Sequence, residues 1–240
     1  MTQLPGIRAI SFDAGFTLLH PDPPVEEVYL REFARDGARG GTAEMGVALA
    51  RTWKEIRDKQ HVDRYDGPTG ERGFWALFVE RARHHFDGGR LSPESFDRLV
   101  GHFLEPGSWT LYPDVLPVLD LLAERGTPLA VVSNWDSSLG PLLDAHALTS
   151  RFSAVLVSAV EKSGKPHPEI FHRACRRLGL SPADVLHVGD SLEEDYEAAR
   201  NAGLAAVLLD RGGRHPDVPE RIASLSELPA RLSAARVPAR

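Results

Sequence analysis

Residues 7–19 read IRAISFDAGFTLL, a short apolar, partly β-branched run that stops at Asp13. The run lacks the alternation of apolar and polar residues that is typical of a half-buried strand. It therefore predicts, over residues 7–12, a strand covered on both faces, as in a parallel sheet. A carboxylate directly after such a strand lies at its carboxyl end, where open α/β sheets bind ligands. Asp13 is thus the first candidate site residue.

Four further runs of the same kind follow later in the chain. They cover residues 128–132, 154–157, 184–188 and 204–209. Helical patterns precede or separate them, at residues 114–125, 168–178 and 192–201, and glycines suited to a helix C-cap follow the last two. Strand alternating with helix predicts an α/β fold with a doubly wound, Rossmann-like parallel sheet.

The interval between the first two strands has a different pattern. From about residue 25 to residue 104 it holds aromatic-rich helical stretches and no convincing strand. Proline-rich segments at residues 20–24 and 105–108 bracket it and are expected to act as hinges. We predict a core domain of residues 1–20 plus 106–240 and an inserted α-helical cap domain of residues 21–105.

Composition narrows the class of protein. Of the 240 residues, 42% are hydrophobic and 26% charged, as is ordinary for a globular protein, and the net charge of −6 provides no basic surface for nucleic acid. We find no signal peptide and no apolar run long enough to span a membrane. The single cysteine, Cys175, fits a helical core position and a reducing compartment. We therefore expect a cytoplasmic protein that binds neither nucleic acid nor membrane.

Polar residues close the other strands as well. Ser133 and Asn134 follow the second strand, Lys165 lies after the third, and Asp190 follows the fourth, with Asp195 close behind. Because the carboxyl ends of parallel strands share one edge, we expect a hydroxyl, a lysine and several carboxylates to converge there.

The order of these residues resembles the four motifs of the haloacid dehalogenase superfamily, in the form with a helical cap inserted after the first motif. The resemblance implies that Asp13 is a nucleophile that forms an aspartyl-phosphate. It implies that Ser133 hydrogen-bonds a phosphoryl oxygen and that Lys165 neutralises the nucleophile and the transferring group.

The resemblance also implies a magnesium site and a small phosphorylated substrate. Mg²⁺ would be held by Asp13, Asp190, Asp195 and the backbone carbonyl of Gly15. Substrate binding is assigned to Thr17, Asn134 and His20. A monomer and a homodimer are both compatible with the sequence.

One position departs from the family pattern. Family phosphatases usually have a general acid/base aspartate two residues after the nucleophile, and here that residue is Gly15. General acid–base catalysis is typically worth ~10²–10⁴-fold, so a poor leaving group should be a poor substrate.

Several explanations of the glycine at position 15 remain open. A histidine can replace the lost acid, with His20 nearest in sequence and His61, His84 and His85 in the predicted cap. The substrate can instead carry a good leaving group, as an acyl phosphate does, or the chain can bind a phosphorylated ligand, or serve regulation, without useful turnover. Haloacid dehalogenases also lack the aspartate, as do phosphonoacetaldehyde hydrolases, for which Lys54 and Lys59 would be the Schiff-base candidates. We favour a Mg²⁺-dependent phosphohydrolase.

Overall fold

The structure, a computed structural model, describes residue 4, residues 6–59 and residues 70–232. The chain divides into two compact units, Met1–Leu19 with Leu111–Arg240, and His20–Thr110. The boundaries predicted from the sequence fall after residues 20 and 105, whereas the units divide after residues 19 and 110. The larger difference arises because the chain continues from residue 106 into a short turn and a strand.

The elements are numbered in chain order. The strands are β1 (Ala9–Phe12), β2 (Leu19–Pro21), β3 (Trp109–Leu111), β4 (Leu129–Ser133), β5 (Ala154–Val157), β6 (Val185–Gly189), β7 (Ala205–Leu209) and β8 (Arg221–Ile222). The helices are α1 (Val25–Arg35), α2 (Thr42–Lys59), α3 (Gly70–Asp87), α4 (Pro93–Leu104), α5 (Val115–Glu124), α6 (Leu139–Ala145), α7 (Ser158–Glu161), α8 (Pro168–Leu178), α9 (Ala198–Asn201) and α10 (Leu228–Arg231).

Six strands of the first unit form one parallel sheet in the order β5-β4-β1-β6-β7-β8. This confirms the predicted doubly wound α/β fold. Strand β1 lies between β4 and β6, and all four of its residues are buried. The chain moves outward from β1 through β4 and β5 and then returns to its other side at β6. The carboxyl end of β1 is therefore the switch point of the sheet, where a ligand site is expected.

Helix α8 shows why the apolar pattern predicts the core correctly. Its buried residues are Ile170, Phe171, Ala174 and Cys175, which share one face at helical spacing. Gly179 follows in the left-handed conformation, with φ 67°, and ends the helix as predicted. Cys175 is 2% exposed within the hydrophobic core, which confirms its packing role.

The helix predicted over residues 192–201 is not continuous. Residues Leu192–Glu197 form a π-helical turn, and only Ala198–Asn201 are α-helical. Short π-helical turns are often found at functional sites. Here the turn directs Asp195, which is 1% exposed, back toward the sheet.

The second unit contains α1–α4, in agreement with the predicted helical insert. The stripe of Phe74, Phe78, Val79 and Ala82 on α3 is buried, as expected for a helix–helix core. The two segments predicted to be hinges form ordered structure, since β2 pairs with β3 and the Asp22 N–H donates to the Ser108 carbonyl at 2.9 Å. No helix within the described residues is long and apolar enough to cross a membrane.

Candidate active site

Asp13 lies at the carboxyl end of β1 and is anchored through its backbone. Its N–H donates to the Val188 carbonyl of β6 at 2.9 Å, and the residue is 7% exposed. The buried Ser133 hydroxyl, at the end of β4, hydrogen-bonds the Asp13 carboxylate. Two neighbouring strands therefore present the predicted nucleophile and the predicted phosphate-binding serine to the same point.

Lys165 reaches this point from the loop after α7. Its Nζ donates to Asp13 Oδ1 at 2.7 Å and also to Asp195 Oδ1, and its side chain is 2% exposed. Burial alone would lower the pKa of Lys165, but the charges of Asp13 and Asp195 outweigh it and raise the pKa. The lysine is therefore charged and shared between two carboxylates.

The Lys165 loop is held by Asn134. The Lys165 N–H donates to Asn134 Oδ1 at 2.7 Å, and Asn134 Nδ2 donates to the Lys165 carbonyl at 2.8 Å and to Glu194 Oε2 at 2.9 Å. A Cβ at Gly164 would lie only 2.7 Å from Asn134 Oδ1, so glycine is needed beside it. The Asn134 side chain thus positions Lys165, and its predicted contact with substrate stays a prediction.

Asp195 is fixed by contacts from three sides. Its Oδ2 accepts the Ser191 N–H at 2.9 Å, while Oδ1 accepts Lys165 and faces His187 Nε2 at 3.2 Å. A Cβ at Gly189 would lie 2.2 Å from Asp195 Cγ. Glycine at 189 is therefore a steric requirement of this carboxylate.

Three carboxyl groups lie close together in this site, and Lys165 bonds two of them. Oxygens of Asp13, Asp190 and Asp195 all lie within 4.8 Å of one another. Burial, followed by the charges of Asp195 and Asp13, raises the pKa of Asp190 to about 8. Burial also raises the pKa of Asp13 despite Lys165, whereas the bonds from Lys165 and His187 overcome burial and hold the pKa of Asp195 well below its ordinary value. Three acidic side chains therefore lie close together out of water with one ammonium group, which favours the protonated forms of Asp190 and Asp13.

Gly15 lies against an aromatic ring. A Cβ added at Gly15 would be 3.1 Å from Trp135 Cζ3. The indole nitrogen donates to Ser138 Oγ at 3.1 Å, which fixes the ring. The place of the usual general acid thus adjoins an indole rather than open space. Thr17 is fully buried, and its hydroxyl has no hydrogen-bond partner among the described residues.

The remaining predicted residues belong to the second unit. His20 Nδ1 lies 3.2 Å from the Pro21 carbonyl, and His85 Nε2 lies 3.0 Å from Glu55 Oε2. His84 and Lys54 are exposed. His61 and the side chain of Lys59 lie outside the described residues. The histidine replacement for the missing acid stays a prediction.

Sequence reasoning missed two buried polar residues beneath the site. Ser11 on β1 and His187 on β6 are opposite each other in the sheet register, and both are fully buried. The available signal was the presence of a serine and a histidine inside otherwise apolar strand runs.

A family model described as haloacid dehalogenase-like hydrolase matches residues 7–203. The chain belongs to this family of hydrolases. Over its length the chain is 31% identical to haloacid dehalogenase-like hydrolase domain-containing protein 3 of Danio rerio, covering 94% of this chain and 96% of that protein.

Two further relatives of this haloacid dehalogenase-like hydrolase carry phosphatase names. Phosphoglycolate phosphatase of Escherichia coli K12 is 36% identical over 51% of this chain and 48% of its own length. The crystal structure of a HAD phosphatase from Thermococcus onnurineus is 27% identical and has a TM-score of 0.66, covering 96% of this chain and all of that chain. The family, the hydrolase class and the fold agree with the sequence-based prediction.

Proposed function

We propose that this chain is a Mg²⁺-dependent phosphohydrolase that acts through an aspartyl-phosphate on Asp13. The observation that carries the proposal is the buried cluster at the switch point, in which Lys165 bridges Asp13 and Asp195 while Asp190 lies beside them. A nucleophilic carboxylate with a fixed ammonium group beside it is suited to attack on an anionic phosphoryl group.

The donor set fits Mg²⁺. Carboxylate oxygens are the hard ligands that this ion prefers, and Mg²⁺ typically keeps several waters beside one or two carboxylates. Burial, followed by the charges of Asp195 and Asp13, raises the pKa of Asp190, and a bound cation would favour its ionised form. Asp13, Asp190, Asp195 and the Gly15 carbonyl would hold the ion, which when bound would neutralise charge on the transferring phosphoryl group.

The proposed reaction consists of two successive displacements at phosphorus, the first by Asp13 and the second by water. An Asp13 oxygen attacks phosphorus, the bond from phosphorus to the leaving-group oxygen breaks, and that oxygen departs with the electron pair. Water then attacks phosphorus, the bond to Asp13 breaks, and phosphate is released with the proton passing to solvent. Ser133 and Lys165 would bind and neutralise the phosphoryl oxygens in both steps.

Gly15 restricts the substrate to leaving groups that depart without protonation. No carboxylate follows two residues after Asp13, and a side chain at that position would press against Trp135. An acyl or aryl phosphate gives a weakly basic leaving group and needs little acid catalysis. An alkyl phosphate should lose much of the ~10²–10⁴-fold that a general acid supplies.

The test measures the release of phosphate when purified protein is given acyl, aryl or alkyl phosphates, with and without Mg²⁺. We expect Mg²⁺-dependent release of phosphate, fastest for the least basic leaving groups, and loss of activity in Asp13→Asn. Glu197→Gln is the matched control, because it removes an exposed carboxylate from the same segment as Asp195. The panel includes 2-haloacids, and release of halide without Mg²⁺ would replace the proposal with dehalogenation.

Gly15 also supports a second candidate function, binding or sensing of a phosphorylated ligand with little turnover. That function predicts binding of inorganic phosphate in the presence of Mg²⁺, measured by calorimetry, and no release of phosphate from any ester. Multiple turnovers of an acyl phosphate would exclude it.

A further inference from the structure

A serine and a histidine face each other inside the central parallel sheet, directly below the acidic cluster. Ser11 and His187 are register partners on β1 and β6, and each is 0% exposed. Most buried residues around them are apolar. A buried polar pair needs compensation, because each unpaired group costs about 1–3 kcal/mol. The two side chains meet this cost by hydrogen bonds to each other and to Asp195.

The pair forms one end of a continuous hydrogen-bonded chain. Ser11 Oγ lies 2.9 Å from His187 Nδ1, and His187 Nε2 lies 3.2 Å from Asp195 Oδ1. The same Asp195 oxygen accepts Lys165 Nζ, which in turn donates to Asp13. The chain therefore runs from the middle of the sheet to the nucleophile.

The charge of Asp195 determines which ring nitrogen carries the proton. Asp195 is held ionised by Lys165 and by the Ser191 N–H, so Nε2 must present a hydrogen to it. The His187 ring is completely buried, and the Lys165 ammonium group already donates to the same Asp195 oxygen, so a second positive charge on the ring is unfavourable. The neutral ring then has a lone pair on Nδ1, and the Ser11 hydroxyl donates to it at 2.9 Å rather than to the Leu186 carbonyl at 3.5 Å.

We infer that His187, with its Nε2–H directed at Asp195 and its Nδ1 bonded to Ser11, is a positioning residue that orients the Asp195 carboxylate for Lys165 and for the metal. The inference rests on the proposed function, because it assigns the pair to the same site. The hydrogen bonds of the His187 ring join it to Ser11 and Asp195, and Asp195 in turn accepts Lys165. His187 acts through Asp195, as residues behind metal ligands commonly do.

A purely structural role makes a different prediction. The His187 ring also packs edge-on against Phe171 of α8, with centroids 5.0 Å apart. If packing were the purpose of the pair, apolar side chains at both positions 11 and 187 would serve as well, since replacing both members of a buried polar pair is often neutral or stabilising. A positioning role predicts that a folded His187 variant loses Mg²⁺ affinity and activity through Asp195, whereas a packing role predicts that both stay normal.

The experiment compares His187→Leu, His187→Gln and Ser11→Ala with His172→Leu. His172 is the matched control, because its Nε2 bonds the Ala202 carbonyl in the same unit, away from the site. We expect His187→Leu to stay folded, to weaken Mg²⁺ binding in calorimetry and to lower kcat by roughly 10–100-fold with little change in KM. His187→Gln, whose amide can still donate to Asp195, should recover part of both losses.

The tautomer is tested without metal or substrate. Nitrogen NMR of the free protein should show His187 protonated at Nε2 alone. Ser11→Ala should alter this signal and reduce Mg²⁺ affinity, whereas it should have no further effect in the His187→Leu background.

The outcomes separate this inference from the proposed function. Normal Mg²⁺ affinity and normal kcat in His187→Leu would overturn the positioning role while leaving the hydrolase intact. A wild-type protein that releases no phosphate would overturn the proposed function. In that case the Nε2–H tautomer, together with weaker Mg²⁺ binding in His187→Leu, would still support the positioning role. A ring protonated at Nδ1 would overturn it in every case.

Discussion

Asp190 lies close to the carboxylates of Asp13 and Asp195, and burial together with their charge raises its pKa to about 8. In the unfolded chain the same group ionises near its ordinary pKa of 3.8. The folded state binds the extra proton, so the metal-free protein loses stability as pH rises through this window. Asp190→Asn removes the ionisable group and should stabilise the metal-free protein at neutral pH.

The same substitution should abolish most of the stabilisation by Mg²⁺. Ligand that binds only the folded state raises the melting temperature by mass action, and Asp190 is a proposed ligand. Thermal unfolding of wild type, Asp190→Asn and Glu197→Gln, each with and without Mg²⁺, measures both effects. An undiminished Mg²⁺ shift in Asp190→Asn would place the ion elsewhere.

Phe16 adopts a backbone conformation that suits glycine. Its φ is 55°, and its side chain is 47% exposed in the loop after the nucleophile. Left-handed backbone costs a residue with a Cβ roughly 1–2 kcal/mol, whereas glycine adopts it freely but loses more entropy on folding. Phe16→Gly should therefore unfold with a free energy about 1 kcal/mol higher than Phe16→Ala, which lacks the phenyl ring but keeps the strain.

This comparison is made by urea denaturation. Equal stabilities of the two variants would mean that the left-handed conformation relaxes in alanine. Assays of wild type, Phe16→Ala and Phe16→Gly with an aryl phosphate would then show whether loss of the exposed phenyl ring changes KM.

An aspartate introduced at position 15 tests whether the site lacks only its general acid. The φ of Gly15 lies outside the left-handed region, so aspartate is compatible with the backbone, but its Cβ would approach Trp135 to 3.1 Å. We predict that Gly15→Asp speeds hydrolysis of a basic leaving group by at least roughly tenfold, below the full effect of ~10²–10⁴. The gain should increase when Trp135→Ala makes room for the carboxylate.

Gly15→Asn is the control for that gain, because it has the same shape and cannot transfer the proton. A similar increase in Gly15→Asn would assign the effect to altered space rather than to acid catalysis. No gain in folded, metal-binding Gly15→Asp would argue against a site that lacks only its acid.

At the level of elements, Asp114 ties the start of α5 to the segment after β7. Its carboxylate accepts two bonds from Arg211 at 2.9 Å, one from Ser224 Oγ at 2.7 Å and one from the Leu225 N–H at 2.9 Å. Although burial opposes ionisation, these bonds hold the pKa of Asp114 below its ordinary value. The stabilisation is therefore present above pH 3.8 and disappears as pH falls through the lowered pKa.

Asp114→Asn should cost about 1–2 kcal/mol of unfolding free energy at neutral pH. The difference from wild type should shrink in acid, where both side chains are uncharged. Asp120→Asn on the same helix removes an exposed ion pair with Arg151 and should change stability by less than about 0.5 kcal/mol. A cost at Asp114 that persists below the lowered pKa would point to shape rather than charge.

At the level of the whole molecule, every described candidate metal ligand belongs to the unit that contains the parallel sheet. Mg²⁺ alone should therefore slow hydrogen exchange in residues 13–17, 163–166 and 189–196. Helices α1–α4 should exchange at unchanged rates, because the described candidate ligands all lie outside them. Protection that extends into α1–α4 would show that metal binding couples the two units.

The sequence by itself determined the fold class and the composition of the site. Short apolar runs that end in polar residues predict parallel strands, and the carboxyl ends of parallel strands meet at one edge whatever the details of packing. That rule is sufficient to bring Asp13, Ser133, Lys165, Asp190 and Asp195 into one site. Helix spacing likewise identified the buried face of α8 and the helical insert.

Only the tertiary structure decided how those residues are held. The use of Asn134 to fix the Lys165 loop depends on contacts between segments that are far apart in the chain. The position of Trp135 against Gly15 and the pairing of Ser11 with His187 have the same origin. The π-helical turn at 192–197 also escaped prediction, because its apolar pattern resembles that of an α-helix. Such features follow from strand register and from side-chain packing across the sheet, which no local pattern of residues specifies.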